Sequence, residues 1–328
     1  MKRIASIALA MVLLLTCVFA VNQPVYAATK ATESRTIAIV FDNSGSMYIG
    51  GNKAWCRATY AMEVFASMLN KGDTLMVYPM NPITVDGQTY TMDSPFKITD
   101  ASQANKLRDI STNNAQGTPI ESLDTAFEGL KSVAADKKYL IVLTDGTNFH
   151  VNGQEVSGRE TVVYLDNRLN AVIPEGINCM YLGIGKSAAM PTIPESELFV
   201  KRKAENSEDV LSALTEMCNL VFGRDTLPKN HMTDHSMDFD ISMKKLIVFV
   251  QGENVSDLRI SGNGVGQLVS STTTKYGTAG AGNYPSSPDT SLQGMMVTYA
   301  DCAAGEYKIE YSGTPSSVEV YYEPDADL

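Results

Sequence analysis

Arg35-Thr36-Ile37-Ala38-Ile39-Val40-Phe41-Asp42-Asn43-Ser44-Gly45-Ser46-Met47 is the stretch that decides the fold. Residues 36–41 form an unbroken apolar, β-branched-rich run with no polar alternation, the pattern of a strand buried on both faces of a parallel sheet. At its carboxyl end the texture changes at once. Asp42, Ser44 and Ser46 alternate with Asn43 and Gly45, so three short oxygen-bearing side chains crowd a tight turn where open α/β sheets hold their ligands. One carboxylate and two hydroxyls suit a hard divalent cation, which takes oxygen donors in near-octahedral array and keeps waters. A cation neutralised so sparingly retains affinity for an acid from outside.

Asp, Ser and Gly also build ordinary strand-to-helix turns and helix caps, so D-x-S-x-S gains weight only in company. Two further segments supply it. Gln116-Gly117-Thr118-Pro119-Ile120 ends a polar loop and opens a helical pattern, and Tyr139-Leu140-Ile141-Val142-Leu143-Thr144-Asp145-Gly146 is a second buried-type strand ending in a carboxylate. Together the three segments resemble the von Willebrand factor type A (vWA) domain family over residues 33–224. The resemblance implies a doubly wound, mostly parallel α/β sheet with a metal-ion-dependent adhesion site (MIDAS). Its ligands fall here on Asp42, Ser44, Ser46, Thr118 and Asp145, around Mg²⁺ (or Mn²⁺ or Ca²⁺). Gln116 stands where the family often has a second Gly. The activity implied is metal-dependent binding of a protein partner, whose acidic side chain completes the shell, and not catalysis.

Met1-Lys2-Arg3, an uncharged and mostly apolar run over residues 4–20, and Val25-Tyr26-Ala27 follow the order of a secretory signal peptide, with cleavage expected after Ala27. An uncleaved anchor is the alternative, and Pro24 and Ala27 favour cleavage. The mature chain is therefore expected to be secreted or displayed at the cell surface, without insertion into the membrane. The 328 residues carry 26 Lys and Arg against 37 Asp and Glu, a formal net charge of −11 that becomes −13 once Lys2 and Arg3 leave. So acidic a surface argues against nucleic acid as a partner. Cys56, Cys179, Cys218 and Cys302 remain after cleavage; they allow three pairings as two disulfides, or serve equally well as buried thiols, and they have no C-x-x-C spacing for a metal.

The chain then alternates between strand and helix patterns. Residues 53–69 place apolar side chains at spacings of three and four, and residues 74–78 read as the next buried strand. Asp86-Gly87 centres a hairpin, and residues 96–98 or 89–92 are candidates for an antiparallel edge. Thr99-Asp100 caps a helix over 101–110, and Pro119 opens another. Residues 137–144 form the second central strand. Residues 146–158 read as a long polar loop in which His150 is a solvated residue, not a ligand. A helix over 160–172, a strand over 177–184, a short strand over 198–201 and a helix over 208–222 capped by Ser207 complete the first domain. Residues 225–238 read as a linker, with His231 and His235 as surface groups. The segment 239–328 carries six short strand-like runs (245–250, 257–260, 267–271, 295–299, 307–311 and 317–322), the pattern of a β-sandwich-like domain, with an exposed loop over 277–291.

Two other functions compete with binding. A metal-dependent hydrolase needs a base beside the cation, and the sequence has no H-E-x-x-H or G-x-S-x-G; His150 is the one base to nominate. A structural subunit of a surface assembly would use the metal only to staple loops.

Overall fold

The computed structural model describes residues 33–47, 54–108, 110–112, 117–146, 148–223, 225–227, 231–275 and 293–325. The expected leader at 1–27, the loops at 48–53, 113–116 and 277–291, and the last three residues lie outside the described residues. The first part of the chain runs β1 (Arg35–Phe41), α1 (Ala54–Ser67), β2 (Thr74–Pro79), β3 (Ile83–Val85), β4 (Gln88–Tyr90), β5 (Phe96–Ile98), a 3₁₀ helix (Ala101–Leu107), β6 (Ser111–Thr112), α2 (Glu121–Ser132), β7 (Lys137–Thr144), β8 (Asn148–Val151), β9 (Gln154–Ser157), α3 (Arg159–Val172), β10 (Asn178–Ile184), β11 (Phe199–Ala204) and α4 (Ser207–Phe222).

Strand order in the main sheet is β11-β10-β7-β1-β2-β5, parallel except for the antiparallel edge β5. β1 lies inside it, and its period of two divides its side chains between layers. Ile37, Ile39 and Phe41 pack with α1 and α4, whereas Ala38 and Val40 face Leu123, Ala126 and Leu130 of α2 and Leu165 and Leu169 of α3. A strand covered by helices on both sides has no solvent face, which is why residues 36–41 need no polar alternation.

The second part comprises β12 (Asp225–Thr226), β13 (Met232–Thr233), β14 (Ser236–Phe239), β15 (Met243–Ser261), β16 (Gln267–Lys275), β17 (Gln293–Cys302) and β18 (Gly305–Pro324). They make one antiparallel sheet ordered β13-β14-β18-β15-β17-β16, with β12 on β18. The runs expected at 245–250 and 257–260 are halves of one strand, β15, and those at 307–311 and 317–322 are halves of β18. Both strands double back. On a straight strand Leu246 and Ile260 would stand roughly 45 Å apart, yet the Ile260 N–H donates to the hydroxyl of Tyr299, the cross-strand partner of Leu246, at 3.2 Å. Register shifts between Gln251 and Arg259 accommodate the bend. The two halves close over Leu246, Val248, Val250, Ile260, Ile309, Val318 and Val320, a sandwich-like arrangement made from one sheet.

The alternate residues of β15 point the other way. Ile247 and Phe249, with Met296 and Tyr321, join the core of the first sheet, and the Phe249 ring lies 6.3 Å from that of Tyr60 in α1. Every α1 residue except Arg57 is therefore buried, as befits a helix covered on all sides. Ser34–Leu328 form a single compact unit. Residues 225–238, read from sequence as a linker, carry β12, β13 and most of β14, with β12 and β14 paired to β18. His231 accordingly meets Asp238 at 3.1 Å and His235 stacks on Tyr311.

Other local departures have local causes. Residues 146–158 are not one loop. Asn152 and Gly153, both at positive φ (50° and 76°), turn β8 into β9, the Asn-Gly signal of a two-residue hairpin. The α4 cap is Asn206, not Ser207; its side chain accepts the Asp209 N–H and Asp209 answers in a reciprocal box. Asp100 caps the 3₁₀ helix as expected, and 96–98 is the antiparallel edge. The four cysteines are buried free thiols. No helix among the described residues is long and apolar enough to cross a membrane.

A polar latch also joins the two parts. Glu63 of α1, fully buried, receives both arms of the Arg108 guanidinium, which also donates to the Thr273 carbonyl of β16. Removing the cation takes its bidentate partner from a buried carboxylate. Arg108→Ala is expected to lower unfolding free energy by about 3 kcal/mol, read from urea midpoints, with a larger loss than the double variant Glu63→Gln/Arg108→Ala.

Candidate metal centre

β1 and β7 run side by side in register, Phe41 beside Leu143, so their carboxyl ends deliver Asp42 and Asp145 to one rim. The ladder continues for one bond, from the Asp42 N–H to the Leu143 carbonyl at 2.9 Å. Asp42 is fully buried, Asp145 6% exposed. Asp42 Oδ1 accepts the Ser44 N–H at 2.9 Å, its Oδ2 accepts the Thr144 hydroxyl, and Thr144 Oγ1 accepts the Gly146 N–H at 2.8 Å. The turn that Asp42 ties down enters a 3₁₀ turn at Gly45–Met47. It holds the Ser44 and Ser46 hydroxyl oxygens 3.1 Å apart.

Two asparagines connect the turn after β1 to the loop that carries Thr118. Asn43 exchanges hydrogen bonds with the Asn81 backbone just after β2. Its Nδ2 donates to the Asn81 carbonyl and its Oδ1 accepts the Asn81 N–H, both at 2.7 Å. The Asn81 side chain donates to the Gly117 carbonyl at 2.9 Å. From the other side His150, on β8, clamps the loop. Its Nδ1 accepts the Thr118 N–H at 3.1 Å and its backbone N–H donates to the Thr118 carbonyl at 2.8 Å. Because Nδ1 accepts, the ring proton sits on Nε2. Gly117 has φ of +83°, and a Cβ there would lie 2.5 Å from the imidazole, so only glycine fits. His150 is thus not the solvated loop residue expected from sequence but the support of Thr118.

Burial, and then the charge of Asp145, push the Asp42 carboxyl up to about 6, while hydrogen bonds from Thr144 and Ser44 pull it down. Burial and the same two carboxylates raise the Tyr181 phenol, whose hydroxyl donates to the Ala189 carbonyl at 2.7 Å. Like charges crowded into a dry pocket favour a bound cation. Among the described residues no group of three or more His, Cys, Asp or Glu gathers anywhere. The donors here are two carboxylates and hydroxyls, all oxygen, which fits a hard divalent ion and not a soft one. Asp42, Ser44 and Ser46 are joined by hydrogen bonds, and Asp145 is near enough for its charge to act on Asp42; Thr118, 5% exposed, follows Gly117, whose carbonyl is held by Asn81. Sequence reasoning missed Asn43, Asn81, Thr144, His150 and Tyr181 as supports. Only Asn43 and Thr144 left a trace, as polar residues embedded in the two strand-end motifs.

No family model matches this chain, and no curated protein does. Solved structures do. The pilus adhesin SpaC of Lactobacillus rhamnosus GG is similar at 15% identity and TM-score 0.41 over 89% of this chain and 39% of its own. The vWF domain of the type V pili tip protein Mfa5 of Porphyromonas gingivalis is similar at 11% identity and TM-score 0.41, over 58% of this chain and 95% of its own. Proximal thread matrix protein 1 from the mussel byssus, in a structure with a zinc-occupied MIDAS motif, is similar at 12% identity and TM-score 0.40, over 60% of this chain and 49% of its own. The chain thus spans about two-fifths of the SpaC adhesin's length. Its first part is a six-stranded mixed sheet with helices on both faces, and an all-β region with an antiparallel sheet follows.

A carboxyl whose proton affinity is higher folded than unfolded gives a defined pH slope. Below the ordinary carboxylate range both states are protonated and the difference vanishes. Between that range and about 6 the native state holds the extra proton, so stability falls as pH rises. In chelator, the melting temperature of the wild type relative to Asp42→Asn is expected to fall from pH 4 to pH 7; a flat difference would contradict the buried charge.

Proposed function

We propose that the chain is an exported binding module that captures an acidic side chain of a partner protein at a divalent cation, Mg²⁺ or its analogues Mn²⁺ and Ca²⁺. Ser44, Ser46 and Thr118 would hold the cation through hydroxyls, and Asp42 and Asp145 directly or through water. The observation that carries this reading is the pair of Ser44 and Ser46 hydroxyls 3.1 Å apart, with Ser44 bonded to a buried Asp42 whose proton affinity burial, and then the charge of Asp145, raises. A cation there, touched directly by neutral hydroxyls and by one or both carboxylates only through water, would keep positive charge exposed to one more anion. The exported chain, at −13 without Lys2 and Arg3, repels acidic partners at a distance, so capture rests on the local field of the metal. Export rests on the leader pattern of the first 27 residues. A hydrolytic reading is the weaker one, because the Nδ1 of His150, the base nominated from sequence, accepts the Thr118 N–H.

Titration with Mg²⁺ and Mn²⁺ tests the proposal. Asp42→Ala and Thr118→Ala are expected to lose cation binding and chelator-sensitive capture of cell-surface proteins while keeping the native circular dichroism spectrum. Unfolding of both variants on loss of the metal would instead mark the cation as a staple for loops, and turnover of an ester or peptide that survived chelation would remove the metal from the function.

Asn81 is not one of the proposed ligands, and its side chain holds the Gly117 carbonyl, so its effect is a separate measure of positioning. Asn81→Ala frees the Gly117 carbonyl and is expected to weaken Mn²⁺ affinity by about 10-fold, read by calorimetry, with the melting temperature in chelator changed by only a few degrees.

A further inference from the structure

Asn70 lies in the turn after α1, and Lys245 lies near the start of β15, 175 residues further on. The Lys245 Nζ donates directly to Asn70 Oδ1, and both residues are half-buried between buried neighbours, Leu69 and Leu246. A third group completes the cluster. Asp73, 1% exposed, is fixed against Asn70 from both directions. Its Oδ2 accepts the Asn70 N–H at 2.9 Å and its own N–H donates to the Asn70 carbonyl at 3.1 Å. Its Oδ1 accepts the Arg35 N–H at 3.2 Å, with the Arg35 guanidinium 3.5 Å away. Lys245 is equally fixed, paired across β15 with Ala300 on one side and Glu323 on the other.

An amine on β15, and a carboxamide and a buried carboxylate on the turn after α1, are the components of an amide exchange. Primary amides resist amines in water, but reactants held in contact gain several orders of magnitude in effective concentration, and a lysine drawn out of water is a better nucleophile. We propose that Lys245 and Asn70 condense to an isopeptide bond. Nζ attacks the Asn70 side-chain carbonyl carbon, forming the C–N bond. The Asp73 carboxylate relays two protons in turn from Nζ to the amide nitrogen, one that frees the Nζ lone pair and one released as the C–N bond forms. The C–NH₂ bond then breaks and the nitrogen departs as ammonium, which takes the positive charge of the lysine, so the chain loses the mass of one ammonia. No electrons are exchanged and no co-reactant enters.

The bond would tie the start of β15, in the second sheet, to the turn beside the amino-terminal end of β1, since Asp73 in that turn meets Arg35, where β1 begins. The candidate metal centre lies past the other end of β1, about 20 Å away at the strand rise per residue. A pull applied to a captured partner would then cross the central sheet and leave through a covalent link. The proposal does not depend on the metal reading.

The test is mass spectrometry of the purified full chain beside Asn70→Ala and Lys245→Arg prepared identically, so that processing of the amino terminus cancels. The wild type is expected to weigh one ammonia less than its sequence requires, and its digest to contain a branched peptide joining the Asn70 and Lys245 segments, both signals lost in the variants. Recovery of both segments as linear peptides from the wild type, with no ammonia lost, overturns the proposal, and this wild-type measurement stands even if a variant fails to fold. Asp73→Asn is expected to slow cross-linking by about 10-fold or more; full cross-linking in a folded Asp73→Asn variant would overturn the relay assigned to Asp73.

Discussion

The carboxylate of Asp42, set down without solvent at the end of a strand buried on both faces, is the constraint around which the first half of the molecule is arranged. β1 has no wet side, so the first polar group after Phe41 emerges into low dielectric and must be satisfied by protein. Thr144 and the Ser44 N–H do this, and in doing so they set the turn that brings two serine hydroxyls together. Asp145 works against them, because the neighbouring strand ends in register with β1. The negative charge of the rim is thus a product of sheet burial and strand register together, before any ligand is considered.

The second sheet is more than an appendage. One layer of its side chains makes its own folded-over core, and the other layer finishes the core of the first sheet by covering α1. The helix behind the D-x-S-x-S turn is consequently locked on every side, which restricts how far that turn can move relative to β1. Two polar contacts cross the same boundary, Arg108 with the Thr273 carbonyl and Lys245 with Asn70. Binding at one end of β1 and attachment at the other would give the central strand the role of a tie rod, whichever partner is captured.

The rim is also held from outside the sheet. Thr118 belongs to no strand, yet its loop is bonded to Asn81 on one side and to His150 on the other. His150 can do this only because β8 and β9 pair across Asn152-Gly153 and bring its ring over Gly117. A hydroxyl that would complete a metal shell is therefore placed by a hairpin and by an asparagine pair, neither of which carries a ligand.

Residues 36–41 and 139–144 determined by themselves that two strands would be central, because uninterrupted apolar runs have nowhere else to go. With the Asp-Gly hairpin and the spacing of the helices, this made the doubly wound sheet legible, and the D-x-S-x-S turn, Thr118 and Asp145 legible as candidates. The chain order could not say that β15 and β18 bend back on themselves, since a bend depends on register shifts between partners far apart in sequence, nor that residues 225–238 are strands, because short edge strands borrow their stability from β18. The Asn152-Gly153 turn was readable and went unread, its signal masked by the polar run around it. Only the tertiary structure decided that Asn43, Asn81, His150 and Thr144 support the site and that Lys245 meets Asn70. Those roles depend on which groups face one another across tens of residues, and a side chain's chemical type does not encode its neighbour.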